Sequence, residues 1–170
     1  MKRFFISFIF IVLTSLAAFS QVGIPRAQAL FIFNFSRLIE WPASYRNGPF
    51  VIGILGTSTV SEELITYTKG KKVGVQDIQV VNFKTVQEIS FCHILFVPFS
   101  RSKQLAEIAS SMQGKSILII TEKNGALNEG SAINFIVFED KLKFELKPEN
   151  ASRYGIKVSS KLTEMSMAGA

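Results

Sequence analysis

The rhythm of apolar and polar positions changes three times along this chain. A mostly apolar run, Phe4 to Phe19, opens it behind Lys2 and Arg3. Over residues 25–40, the apolar positions Ala27, Leu30, Phe31, Phe35, Leu38 and Ile39 recur three and four apart. That spacing predicts a helix with one buried face. Pro25 fits its first turn, and Pro42 stops it by disfavouring helical geometry at Trp41. Asn34 falls on the apolar face, so it is expected to hydrogen-bond a neighbouring backbone. Ile32 and Phe33 carry the apolar character beyond one face. With Trp41, they are the candidates for partner or dimer contact, since apolar surface in excess of a core tends to be an interface.

From Phe50 the pattern becomes one of short apolar runs alternating with amphipathic stretches. FVIGIL (50–55), IQVVNF (78–83), HILFVP (93–98) and SILIIT (116–121) read as strands. Helices are expected at 59–68 and at 101–113, the latter ended by Gly114, with a short helical connection at KTVQEI. Nearly continuous apolar strands separated by crossovers predict a parallel sheet covered on both faces. The ending differs. INFIVF (133–138) runs through Glu139-Asp140 into KLKFEL (141–146), where Leu142, Phe144 and Leu146 alternate with charged residues. This is the period of a half-exposed antiparallel strand, and its lysines discourage edge pairing. A last helix is expected from Pro148, interrupted at Gly155 and resuming over 157–166 with Val158, Leu162 and Met165 on one face. The fold class is therefore α/β: one domain over 21–170, mostly parallel sheet with helices on both faces, and a C-terminal antiparallel edge hairpin.

The opening run has the parts of a secretory signal peptide over residues 1–20. Lys2 and Arg3 supply the charge, and Ala18 and Ser20 give small residues before a cleavage point at Gln21. The apolar run is shorter than the roughly 18–20 residues of a spanning helix. The alternative is an uncleaved anchor; no cysteine follows the run to accept a lipid. Residues 31–42 are not a second membrane segment, because Arg37 and Glu40 would be costly in lipid. Two of the 19 basic residues lie in the leader, leaving 17 against 13 acidic and a net charge of +4 on an exported chain. The basic residues are dispersed, and Lys69-Gly70-Lys71-Lys72 reads as a solvated turn, so no nucleic acid is expected. Cys92 is the single cysteine. It cannot staple its own chain and reads as a small buried hydrophobe, with an intermolecular disulfide as the alternative.

Little here assembles into chemistry. Gly53-Ile54-Leu55-Gly56-Thr57-Ser58 joins a strand to a helix, but it lacks a Walker lysine and a complete dinucleotide fingerprint. It reads as a tight turn capped by Thr57 or Ser58. His93 is the only histidine, and alternation along a strand turns it and Cys92 to opposite faces, against both a nucleophile pair and a metal site. Glu62, Glu63, Glu88 and Glu107 read as solvated helix faces, and Ser159-Ser160 as a helix cap. No catalytic, cofactor-binding or metal-binding residues are assigned. A ligand, if one is bound, is expected at the carboxyl ends of the parallel strands near Gly56 and Phe99.

The segments FNFSRLIEWP, FVIGILG, GKKVGVQDIQV, CHILFVPFS and GSAINFIVFEDKLKFELKPENASRYGIKVSSKL, in that order, resemble the YfiR family of exported bacterial proteins over about residues 24–166. The resemblance implies a small periplasmic α/β protein without enzymatic activity. It implies a repressor that restrains an inner-membrane diguanylate cyclase, and so cyclic di-GMP signalling, through that enzyme's periplasmic sensory domain. An OmpA-like outer-membrane lipoprotein would relieve the restraint by sequestering it, and a homodimer is implied too. A sensor kinase is the other class of inner-membrane partner in keeping with such a role. The chain departs from the family pattern at Lys141, where the hairpin usually has glycine after Asp140, and at Lys147, which replaces an asparagine. With one cysteine, disulfide control within the chain is excluded.

Overall fold

The computed structural model describes residues 23–167, so the expected signal peptide at 1–20 lies outside the described residues. At its centre, alternate side chains of each strand go to opposite faces, as the pleat requires. Strand β2 (Phe50–Leu55) sends Phe50, Ile52 and Ile54 to one apolar cluster and Val51 and Leu55 to another. β5 (Ile94–Val97) and β6 (Leu118–Thr121) divide in the same way, Ile94 and Leu118 joining the first cluster and Leu95 and Ile119 the second. Burial on both faces is why these strands lack an alternating polar pattern.

The remaining strands are β1 (Ile39–Glu40), β3 (Lys72–Val73), β4 (Gln76–Phe83), β7 (Ile133–Phe138), β8 (Lys141–Leu146) and β9 (Lys157–Val158). Seven of them form one sheet in the order β3-β4-β2-β5-β6-β7-β8, and β1 pairs with β9 in a separate ladder. The five inner strands are parallel, with Ile52 opposite Val80 and Ile94. Antiparallel strands close both edges, β3 on β4 and β8 on β7. The first face is covered by α1 (Gly23–Ser36), α2 (Thr59–Thr68) and α5 (Ser160–Met165), through Ile32, Phe35, Leu64 and Leu162. On the second face, α3 (Leu105–Ser111) contributes Leu105 and Ile108. A short helix, α4 (Pro148–Arg153), follows the edge hairpin. The expected α/β architecture is therefore present, with helices on both faces and the C-terminal hairpin at an edge.

Several boundaries differ from expectation. The first helix ends at Ser36, whose hydroxyl donates to Phe33 O at 2.6 Å. Arg37 and Leu38 donate to Asn34 O and Phe35 O, tightening the last turn. The chain then extends, because Ile39 and Glu40 find partners in Val158 and Lys157. The same ladder makes 157–158 a strand, so the last helix starts only at Ser160, and Met165 is exposed. Asn34 is only half-buried and ties the turn through its carbonyl rather than its side chain. The connection at 86–88 is a single 3-10 turn, and the long helix expected from 101 begins as a 3-10 stretch, Phe99–Gln104. Lys72, expected in a solvated turn, pairs in the edge strand β3.

Gly53 within β2 and Gly56 in the turn after it are structural. A side-chain carbon on Gly53 would lie 2.6 Å from the Phe83 ring, and Gly56 adopts φ +80° beneath Arg101. Ser58 caps α2, its Oγ accepting from Val60 N–H.

Candidate functional site

The three apolar residues expected to contact a partner lie inside the protein. Ile32 is 0% exposed, Phe33 7% and Trp41 6%. Phe33 packs edge-on against Tyr67 of α2, with the Lys71 ammonium over its ring. Trp41 stands edge-on to Phe50 and His93. The first helix carries apolar side chains on more than one side because it is covered twice, by the sheet and by α2. In the single chain, then, none of the three presents an exposed face.

Large exposed apolar groups gather where β5 and β7 end. Phe99 is 67% exposed and Val137 61%. They share a groove of about 560 Å³ with Ile24, Gln28, Phe135 and Leu142. The expectation of a cleft near Phe99 thus meets a real concavity, but one displaced from Gly56 towards the edge hairpin. Among its polar members, Glu122 is already engaged: its carboxylate accepts from Phe99 N–H at 2.9 Å and from Gln28 Nε2 at 2.7 Å. Phe138, also exposed, lies under the Lys143 ammonium. The groove's lining is apolar at Ile24, Phe99, Phe135, Ile136, Val137 and Leu142 and polar at Gln28, Glu122, Lys123 and Asn124.

Beneath this edge lies a polar cluster that sequence reasoning missed. Asn134 is fully buried in β7. Its Oδ1 accepts from the Thr121 hydroxyl and from Lys123 N–H, each at 2.9 Å, and its Nδ2 donates to Glu145 at 3.1 Å. Ser131 donates to Ile133 O at 2.7 Å, and Asn150 Nδ2 to Ser131 O at 2.7 Å. A polar residue among buried strand positions was the available signal. Satisfied networks of this kind fix one arrangement of the chain, here the junction of β6, β7, β8 and α4.

A second concavity, about 530 Å³, opens at the amino ends of β2 and β4. Its wall includes Arg37, Glu40, Trp41, Arg46, Phe50 and Gln76, and His93 closes its floor. His93 stacks on Phe50 with ring centroids 4.2 Å apart. Its Nδ1 accepts from Val51 N–H at 3.1 Å, and Nε2–H donates to Tyr45 O at 2.7 Å. These partners select the neutral Nε2–H form, and burial pushes the pKa down from its ordinary value. Both ring nitrogens are held by backbone groups, so His93 is a structural link rather than a base. Cys92, beside it, belongs to the opposite cluster. Burial pushes its thiol up to about 12, keeping it protonated.

Among the described residues, no helix is long and apolar enough to cross a membrane, and no three His, Cys, Asp or Glu side chains gather as metal ligands. A search of curated proteins finds no match to the chain. A family profile described as YfiR/HmsC-like matches residues 25–167, and its members are periplasmic regulators of signalling. The chain belongs to the YfiR/HmsC-like family.

Proposed function

We propose that the protein is a non-enzymatic periplasmic regulator that binds and restrains an inner-membrane signalling protein. The partner is the periplasmic sensory domain of a diguanylate cyclase, or of a sensor kinase in the same position. The leader over residues 1–20 is cleaved, releasing residues 21–170 into the periplasm. An OmpA-like outer-membrane lipoprotein sequesters the regulator, and the regulator itself forms a homodimer. Beyond family membership, the observation supporting a binding role is the exposed apolar groove around Phe99 and Val137. Monomeric surfaces rarely leave such groups together without a use. A soluble protein can hold a sensor off only by binding its inactive state more tightly than its active one.

Affinity capture from detergent-solubilised inner membranes tests this reading. The protein should retain an inner-membrane sensor whose cytoplasmic part is a cyclase or kinase. Deleting the gene should then raise that sensor's output, and restoring the protein should lower it. Recovery of no such sensor, or an output indifferent to the deletion, would refute it. A second reading, a small-molecule sensor, is favoured by the cleft at the amino ends of β2 and β4.

A further inference from the structure

We infer that this amino-end cleft binds a small monocarboxylate carrying an aromatic or apolar body. The inference deepens the sensor reading and does not depend on the membrane partner. The volume, about 530 Å³, lies within the range of sites that enclose small organic ligands. Its apolar wall comes from Ile39, Phe50 and Val73, with the Trp41 indole beside them. Flat rings on such a wall can stack or meet edge-on with an aromatic guest.

Polar groups supply the orientation. Two guanidinium groups, Arg37 and Arg46, stand in the wall against one carboxylate, Glu40. Arg46 reaches Glu40 only at 3.9 Å and Trp41 O at 3.5 Å, with both charged side chains largely exposed. Those contacts are long, leaving the guanidinium's fork of donors free for a tighter, planar acceptor. Trp41 Nε1 is a buried donor without a hydrogen-bond partner among the described residues. An unpaired buried donor is unfavourable, and a small shift of the indole that presents Nε1 to a ligand oxygen in the cleft would relieve it. By contrast, the buried Gln76 amide is already committed, donating to Tyr45 O and Gly48 O at 3.1 Å each. His93 is committed likewise. The uncommitted side-chain groups of the cleft are thus two guanidinium groups and the Trp41 indole N–H against one carboxylate, Glu40, a balance that an anion with an apolar body uses best.

Trp41 is the only tryptophan in the chain, so its fluorescence reports on the cleft directly. The purified protein should be titrated with 4-phenylbutyrate and, separately, with its neutral amide. The carboxylate should produce a saturable change in Trp41 emission and raise the melting temperature, since it stabilises only the folded state. Binding of the amide should be weaker by about tenfold or more, as should binding of the carboxylate to the Arg37→Gln/Arg46→Gln variant. Glu40→Gln, which removes the competing carboxylate, should bind the probe more tightly. The absence of saturation up to about 10 mM overturns the inference, and so does equal affinity for acid and amide. If the double variant does not fold, the acid–amide comparison on the unaltered protein still decides. No membrane is present in this assay, so its failure is distinct from failure of the regulatory reading.

Discussion

His93 couples the start of the sheet to pH. Its ring accepts from Val51 and donates to Tyr45, while its backbone bonds Val51 O and receives Leu118 N–H. Protonation would place a second N–H against the Val51 N–H and break that link. Because burial lowers the folded-state pKa below 6.5, the unfolded chain takes up the proton first. The stabilisation is thus complete above about pH 6.5 and is lost as pH falls through the folded value. Melting temperature should be flat above that point and decline below it. In His93→Gln, which cannot gain this charge, the absolute stability should drop but the acid slope should be shallower. An unchanged slope would show that other groups govern the decline.

At the scale of elements, the first helix is a buried strut. Ile32→Ala should cost about 2–5 kcal/mol, the usual range for such a core truncation. That corresponds to a fall in melting temperature of roughly 5–15 °C at this chain length. Leu30→Ser, at an exposed position of the same helix, should change it little. The edge hairpin offers the opposite test. Glu139 and Asp140 have φ of +49° and +57°, a left-handed pair that asparagine and glycine adopt more readily. Glu139→Asn with Asp140→Gly should therefore stabilise the protein by about 1 kcal/mol, measured by chemical denaturation.

What the sequence made legible follows from the range of each interaction. The strands Phe50–Leu55, Leu118–Thr121, Ile133–Phe138 and Lys141–Leu146 are set by burial within a few neighbours, so their pattern is visible locally. By contrast, Ile39-Glu40 and Lys157-Val158 are strands only because each meets the other from a distant part of the chain. Nothing in IEW or IKV announces that. Phe33 and Trp41 read as surplus because the second cover, α2 with β2 and His93, cannot be seen in the helix's own period. The amino-end cleft was missed for the same reason. Its arginines, tryptophan and glutamine come from separate segments, and the general rule for parallel sheets directed attention to the opposite end.

For the whole molecule, the described surface carries two separate concavities. The apolar groove of Phe99 and Val137 lies where β5 and β7 end, and the donor-rich cleft of Arg37, Trp41 and Arg46 lies where β2 and β4 begin. A regulator that both holds a sensor and responds to a small molecule would keep these apart while joining them through one rigid sheet. The sheet's shared strands give such a coupling a physical route, because both concavities are lined by residues of the same buried cluster, Phe50 in one and Phe135 in the other. If the sites are coupled, a ligand that alters partner affinity must have its own affinity altered equally by the partner.

The central claim is that the apolar groove holds an inner-membrane sensor. The measurement that meets it most directly is quantitative capture of solubilised inner-membrane proteins on immobilised wild type, Phe99→Ser/Val137→Ser and Arg37→Gln/Arg46→Gln. All three forms should first be matched for melting temperature. The account predicts that the wild type and the arginine variant retain the same sensor, while the groove variant loses at least about tenfold of it, near 1.4 kcal/mol. Capture undiminished by the groove substitutions, or no sensor captured by the wild type, would contradict it.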